Sequence, residues 1–171
     1  MTNGGKNNLI LVGMPGAGKS TLGVLLAKAL GKQFIDTDLL IQEREGALLQ
    51  KIIDERGIDA FLRAEEQTLE SLRAEDSVIA TGGSAVYSES AMKHLREMGG
   101  VIYLEVSFDE IMRRLTNIST RGIAVKKGQD LRGIYEERVP LYKKYADITV
   151  ECGDMERTVE MIIRALRQRQ A

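Results

Sequence analysis

Five short apolar runs punctuate the chain, at Asn8–Val12, Gln33–Asp36, Ser77–Ala80, Val101–Val106 and Ile148–Glu151. Their length and their bounded ends predict strands. Between them apolar residues recur at helical spacing, most clearly over Lys19–Leu30, Ile58–Leu72, Ser88–Met98 and Phe108–Leu115. Leu131–Tyr145 also reads as a helix, with Pro140 either kinking it or marking a second start, and an amphipathic helix over about Met155–Arg169 closes the chain. Strands alternating with helices imply a parallel sheet covered on both faces. Right-handed crossovers restrict this to a three-layer, doubly wound α/β arrangement. The 171 residues carry no linker, repeat or low-complexity tract and fit a single domain, 1–171.

Thr116–Gln129 breaks the alternation. It holds Arg121, Gly122, Lys126, Lys127 and Gly128 with weak periodicity, and is too long for an ordinary connection. In a phosphate-handling protein such a segment is expected to be a lid; a solvated surface loop is the alternative.

The first strand runs into Gly13-Met14-Pro15-Gly16-Ala17-Gly18-Lys19-Ser20, which fills the P-loop template without mismatch. A strand feeding a glycine-rich turn and then a helix gives that template its physical meaning. Backbone N–H groups turn inward around phosphate oxygens, and the helix N-terminus adds partial positive charge. Gly16, Ala17, Gly18, Lys19, Ser20 and Thr21 are therefore expected to cradle a nucleoside triphosphate. Lys19 would reach the β- and γ-phosphates, and Ser20 would ligate Mg²⁺. A chance glycine-rich turn would lack the correct flanks on both sides.

Composition narrows the partners. Net charge is −1, from 24 basic and 25 acidic residues, and Trp is absent, so nothing favours nucleic acid. No apolar stretch approaches membrane-spanning length, and the polar start of the chain is neither signal peptide nor anchor. The single cysteine, Cys152, fits a packed side chain in a reducing compartment. His94 lies on an expected surface helix and is given no role. These features describe a cytoplasmic monomer acting on a small molecule.

Asp36 and Asp38 follow the second strand with two-residue spacing, which puts both carboxylates on one face if strand geometry persists. Ligands of doubly wound sheets bind beyond the carboxyl ends of strands, so these acids are placed beside the P-loop. Phosphoryl transfer needs one such group for Mg²⁺ and one to orient the acceptor hydroxyl; an Asp-Thr-Asp helix cap is the compatible alternative. Thr81-Gly82-Gly83-Ser84 follows the third strand, where adjacent glycines permit close approach of a ligand. Arg113, Arg114, Arg121, Arg132 and Arg138 supply late positive charge.

Taken in order, Gly-Met-Pro-Gly-Ala-Gly-Lys-Ser-Thr, Phe-Ile-Asp-Thr-Asp, Val-Ile-Ala-Thr-Gly-Gly and Arg138-Val139-Pro140-Leu141-Tyr142 with Tyr145-Ala146-Asp147 resemble the shikimate kinase family over nearly the whole length. The resemblance implies a P-loop NTPase of the nucleoside monophosphate kinase type: a five-stranded parallel sheet, an acceptor-binding region at about 37–75 and a lid at about 116–129. It implies Mg²⁺-dependent transfer of the γ-phosphoryl of ATP to the 3-hydroxyl of shikimate, in aromatic amino acid synthesis. Position by position, it makes Lys19, Asp36 and Arg121 catalytic. Ser20 and Asp36 would serve the metal, while Arg114 would pack on the adenine and Arg121 would act from the lid. Asp38, Gly82, Gly83 and Arg138 would bind the acceptor, with Arg138 on its carboxylate.

Three positions depart from the family pattern. The family's Phe-Arg-x-x-Glu reads Phe61-Leu62-Arg63-Ala64-Glu65, so Leu62 stands where a second carboxylate-binding arginine is expected. One helical step turns the adjacent Arg63 about 100° away. Ser84 replaces the third glycine, and the lid reads Arg121-Gly122-Ile123-Ala124 without its proline. Shikimate remains the favoured acceptor because Asp38 and Arg138 are present. Another small acceptor for a paralogue, or a non-catalytic nucleotide-binding regulator, are the alternatives; a GTPase is excluded by the lack of Asn-Lys-x-Asp.

Overall fold

The computed structural model describes residues 7–115 and 123–170. Strands β1 (Asn8–Val12), β2 (Gln33–Asp36), β3 (Ser77–Ala80), β4 (Gly99–Glu105) and β5 (Ile148–Glu151) form one parallel sheet in the order β2-β3-β1-β4-β5. Central β1 and β3 are buried throughout, as expected where helices cover both faces. Edge strand β5 instead exposes Thr149 and Glu151 and buries Val150.

Eight helices connect and flank the strands among the described residues: α1 (Lys19–Leu30), α2 (Thr37–Glu45), α3 (Leu49–Arg56), α4 (Ile58–Ser71), α5 (Glu89–Met98), α6 (Phe108–Arg114), α7 (Leu131–Tyr145) and α8 (Met155–Gln170). The five expected strands are all present. β4 begins two residues earlier than the apolar run, because Gly99 and Gly100 pair with Asn8 and Leu9 although glycine carries no strand signal. Pro140 lies inside one continuous α7 rather than starting a second helix. The Cys152 thiol packs beside the main core, and burial pushes its pKa up to about 11, as suits a structural side chain.

Two hydrophobic clusters result. The larger joins the sheet to α1, α5 and α7. The smaller, around Ile41, Ile52, Phe61 and Ala124, binds α2, α3 and α4 into a flap beside β2. This places the chemistry-bearing residues at the carboxyl ends of β1, β2 and β3. Asn8 closes the other end of the sheet: its amide donates to the carbonyls of Ala74 and Met98 and accepts from Ser77 N–H. None of the described helices is long and apolar enough to cross a membrane.

Candidate active site

The loop after β1 turns on Gly16 (φ +82°), a left-handed conformation that favours glycine, and Gly18 (φ +89°) then caps α1. Lys19, the first residue of α1, is buried and folds over this loop, donating from Nζ to the carbonyls of Gly13 (2.7 Å) and Met14 (2.8 Å). Burial pulls its ammonium pKa down to about 8, a shift opposed chiefly by the negative charge of Asp38. Arg114 closes the outer side of the loop: Nη1 donates to Gly16 and Ala17 at 3.3 and 3.4 Å, while Nε holds Glu110.

At the end of β2, Asp36 caps α2 by accepting from Asp38 N–H at 3.0 Å, and its other oxygen accepts from Ser20 Oγ at 2.7 Å. The capping alternative for the Asp-Thr-Asp segment is thus present, made by Asp36 rather than by Asp38. Ser20 and Asp36 bring one hydroxyl and one carboxylate together, hard oxygen donors of the kind Mg²⁺ takes. No cluster of three or more His, Cys, Asp or Glu side chains that could hold a metal occurs among the described residues.

Asp38 is the second acid, in the first turn of α2. Burial first, and then the charge of Asp36, push its carboxyl up to about 6. It lines a cavity of about 300 Å³ with Pro15, Lys19, Ser20, Gly82, Gly83 and Ile123. A methyl group on Gly82 would lie 2.6 Å from Glu65 Oε1 and 2.9 Å from Asp38 Oδ1, so only glycine leaves this space open. Gly83 lies between Pro15 and Arg138, and its carbonyl accepts from Tyr142 Oη at 2.6 Å.

Arg138 is 1% exposed, which is unusual for an arginine. Its Nε donates to Tyr87 Oη (3.1 Å), its Nη2 donates to Ala124 O (2.8 Å), and its guanidinium lies over the Tyr87 ring. Its remaining nitrogen, Nη1, faces Gly83. A cation so fixed is a directional ligand for a planar anion.

The expected residues thus gather in two adjoining groups. Gly16, Ala17, Gly18, Lys19, Ser20, Thr21, Asp36 and Arg114 surround the loop, and Asp38, Gly82, Gly83 and Arg138 form the neighbouring recess. Arg121 and the first part of the expected lid, 116–122, lie outside the described residues. Of the lid's remainder, Ile123 and Ala124 are buried, and Ala124 touches the recess through Arg138.

Leu62 is half-buried against the smaller cluster, while the neighbouring Arg63 is exposed. Both line a cavity of about 150 Å³ with Glu65, Ser84 and Tyr87, so the 100° between them does not put Arg63 on a separate wall.

Sequence reasoning gave no role to Glu65 or Tyr142, although both fall in its motifs, and passed over Tyr87. Glu65 was visible in principle: it falls on the buried stripe of α4 formed by Phe61, Ala64, Thr68 and Leu69. A carboxylate on an apolar helix face needs a reason. It accepts from Ser84 Oγ at 2.5 Å, and burial pushes its pKa up to about 7 against the opposing pull of that bond. A larger cavity, about 890 Å³, opens at the amino-terminal end of the sheet near Asn8 and Gly99 and touches none of these groups. Convergent polar chemistry, not volume, locates the site.

Known proteins with the same architecture agree. The family model described as "Shikimate kinase" matches residues 15–167. A shikimate kinase of Vibrio parahaemolyticus is 37% identical over 169 residues, covering 96% of this chain and 98% of its own. One of Pseudomonas paraeruginosa is 41% identical over 165 residues, covering 95% of both. Among solved structures, the Acinetobacter baumannii shikimate kinase in complex with shikimate superposes with a TM-score of 0.87 at 30% identity, covering 96% of this chain and 94% of that one. With the P-loop, the parallel sheet and this extent of identity, the chain belongs to the shikimate kinase family.

Proposed function

We propose that this chain transfers the γ-phosphoryl group of ATP to the 3-hydroxyl of shikimate, forming shikimate 3-phosphate and ADP. The observation that carries the reading is the junction at Lys19. Its side chain borders both the phosphate loop and the recess holding Asp38, Gly82 and Gly83. A γ-phosphoryl group and an acceptor hydroxyl can meet there in line. The loop amides and Lys19 hold the phosphates, and Arg138 Nη1 receives the acceptor carboxylate. Asp38 takes the hydrogen bond of the attacking hydroxyl and accepts its proton as the new P–O bond forms and the β,γ-bridging bond breaks. Mg²⁺ bound through Ser20 and Asp36 would neutralise charge on the β- and γ-phosphate oxygens. Arg114, against the outer side of the loop, is read as the adenine-side residue, and Arg121 as the lid cation that meets charge on the transferring group.

The half-buried, unpaired Cys152 thiol suits the reducing cytoplasm. Leu62 supports a second reading, a relative acting on another small hydroxylated acid, because it lines the cavity beside Glu65 with an apolar side chain. Acceptor-dependent ADP release separates the two. Shikimate should stimulate turnover well above gluconate or a nucleoside monophosphate; preferential use of either would transfer the assignment to that acceptor.

A further inference from the structure

Among the described residues Arg138 is the one buried arginine. A buried charge is expensive unless its donors are satisfied, so the partners it has already taken decide which donors remain for a ligand. Nε donates to Tyr87 Oη and Nη2 donates to Ala124 O. A guanidinium carries five N–H groups, which leaves both protons of Nη1 and the second proton of Nη2. Nη1 is the nitrogen beside Gly83, at the recess. The bond to Tyr87 therefore helps to set which edge of the cation faces the recess.

Tyr87, at the end of the single 3₁₀ turn Ala85–Tyr87, is itself held. Its ring centroid lies 5.1 Å from the guanidinium carbon of Arg138. Its hydroxyl donates to the carboxylate of Glu137, the residue before Arg138 on α7. A phenol has one proton to give, so with that proton on Glu137 it has none for a bound acceptor. Glu137 also accepts from Gln129 Nε2 at 3.1 Å, and Lys126 Nζ stands 5.9 Å over the same tyrosine ring. A relay thus runs from exposed Glu137 through half-buried Tyr87 to the buried cation. Leu62 lines the cavity that Tyr87 also lines and brings no charge to it, while Arg63 there is exposed. Recognition of an anion in the recess consequently depends on how the single buried guanidinium is aimed.

We infer that Tyr87, tied to Glu137, is a positioning residue for carboxylate recognition, aiming the free edge of Arg138 at the acceptor. The inference rests on the reading of the recess as the acceptor site and deepens it. Tyr87 acts through Arg138 and not on the acceptor itself, so its effect falls on the discrimination between charged and neutral acceptors. Phenylalanine at this position would keep the ring against the cation and remove only the oxygen that holds Nε.

The test is steady-state kinetics of the native protein, Tyr87→Phe and Glu137→Gln with two acceptors, shikimate and its uncharged methyl ester. Tyr87→Phe should raise the shikimate KM roughly 3–10-fold, the worth of one hydrogen bond, and leave the ATP KM unchanged. The KM of the methyl ester, which offers Arg138 no charge, should stay near its native value, so the preference for the acid narrows. Glu137→Gln should shift the same ratio in the same direction by less, and it decides the matter if Tyr87→Phe fails to fold. An unchanged shikimate KM in both variants, or equal KM rises for acid and ester, would overturn the role of Tyr87 and leave the kinase reading standing. Native turnover of gluconate in place of shikimate would overturn the shikimate assignment alone. In that case a gluconate KM raised by Tyr87→Phe, with gluconamide unaffected, supports Tyr87, and an unmoved one overturns it. Inactivity of the native protein towards every acceptor would overturn both.

Discussion

Lys19, Asp38 and Glu65 hold charges that burial opposes, and their shifts run in the directions burial dictates. Asp38 is ionised above about 6, and Lys19 stays protonated in the nucleotide-free protein up to about 8. Free-enzyme kcat/KM should therefore fall as pH drops through about 6 and again as it rises through about 8. A flat profile from about pH 5 to about pH 9 would contradict these roles. Asp36 and Asp38 are separable by their contacts. Asp36 touches Ser20 and caps α2, whereas Asp38 borders Gly82. Asp36→Asn should mainly raise the Mg²⁺ concentration needed for turnover, and Asp38→Asn should mainly damage acceptor use; identical profiles in a Mg²⁺ and acceptor titration would remove that division. These charges also cost stability. A carboxyl whose pKa is raised on folding gives most stability when protonated and loses it as pH rises towards the folded value. For Glu65 that loss spans the interval from 4.5 to about 7.

Elements were easier to read than the residues that join them. The five strands and the helices packing on them carry dense apolar runs, so their existence followed from periodicity. α2 and α3 did not stand out, because each buries only two residues, Thr37 with Ile41 and Leu49 with Ile52, too few to mark a stripe. α7 shows how one element serves both core and site. Its buried positions Ile134, Arg138, Tyr142 and Tyr145 lie on one face, and two of them reach the recess. Tyr142→Phe would leave the Gly83 carbonyl without its 2.6 Å donor. We expect it to destabilise the fold by about 1–3 kcal/mol and to raise the acceptor KM while sparing the ATP KM. Thermal unfolding with paired KM measurements checks this, and an ATP defect equal to the acceptor defect would mean that Tyr142 supports the whole fold.

Across the whole molecule, the nucleotide half was legible because its chemistry is contiguous: loop, helix start and metal-side hydroxyl fall within Gly13–Ser20. The acceptor half is assembled from α2, α4, the turn after β3 and α7, so no local window displays it. Its exchanged residues meet there: Leu62 and Ser84 flank the same carboxylate, Glu65, in one cavity. The recess brings together a buried guanidinium, Arg138, and a buried carboxyl, Asp38, the pair on which the proposed assignment to shikimate rests. The most direct measurement is phosphorus NMR with mass spectrometry on native protein incubated with ATP, Mg²⁺ and shikimate. The γ-phosphate signal should decline as one phosphomonoester grows, attached at the 3-hydroxyl of shikimate, in step with ADP. Loss of the γ-phosphate only to inorganic phosphate, with shikimate recovered unchanged, would contradict it.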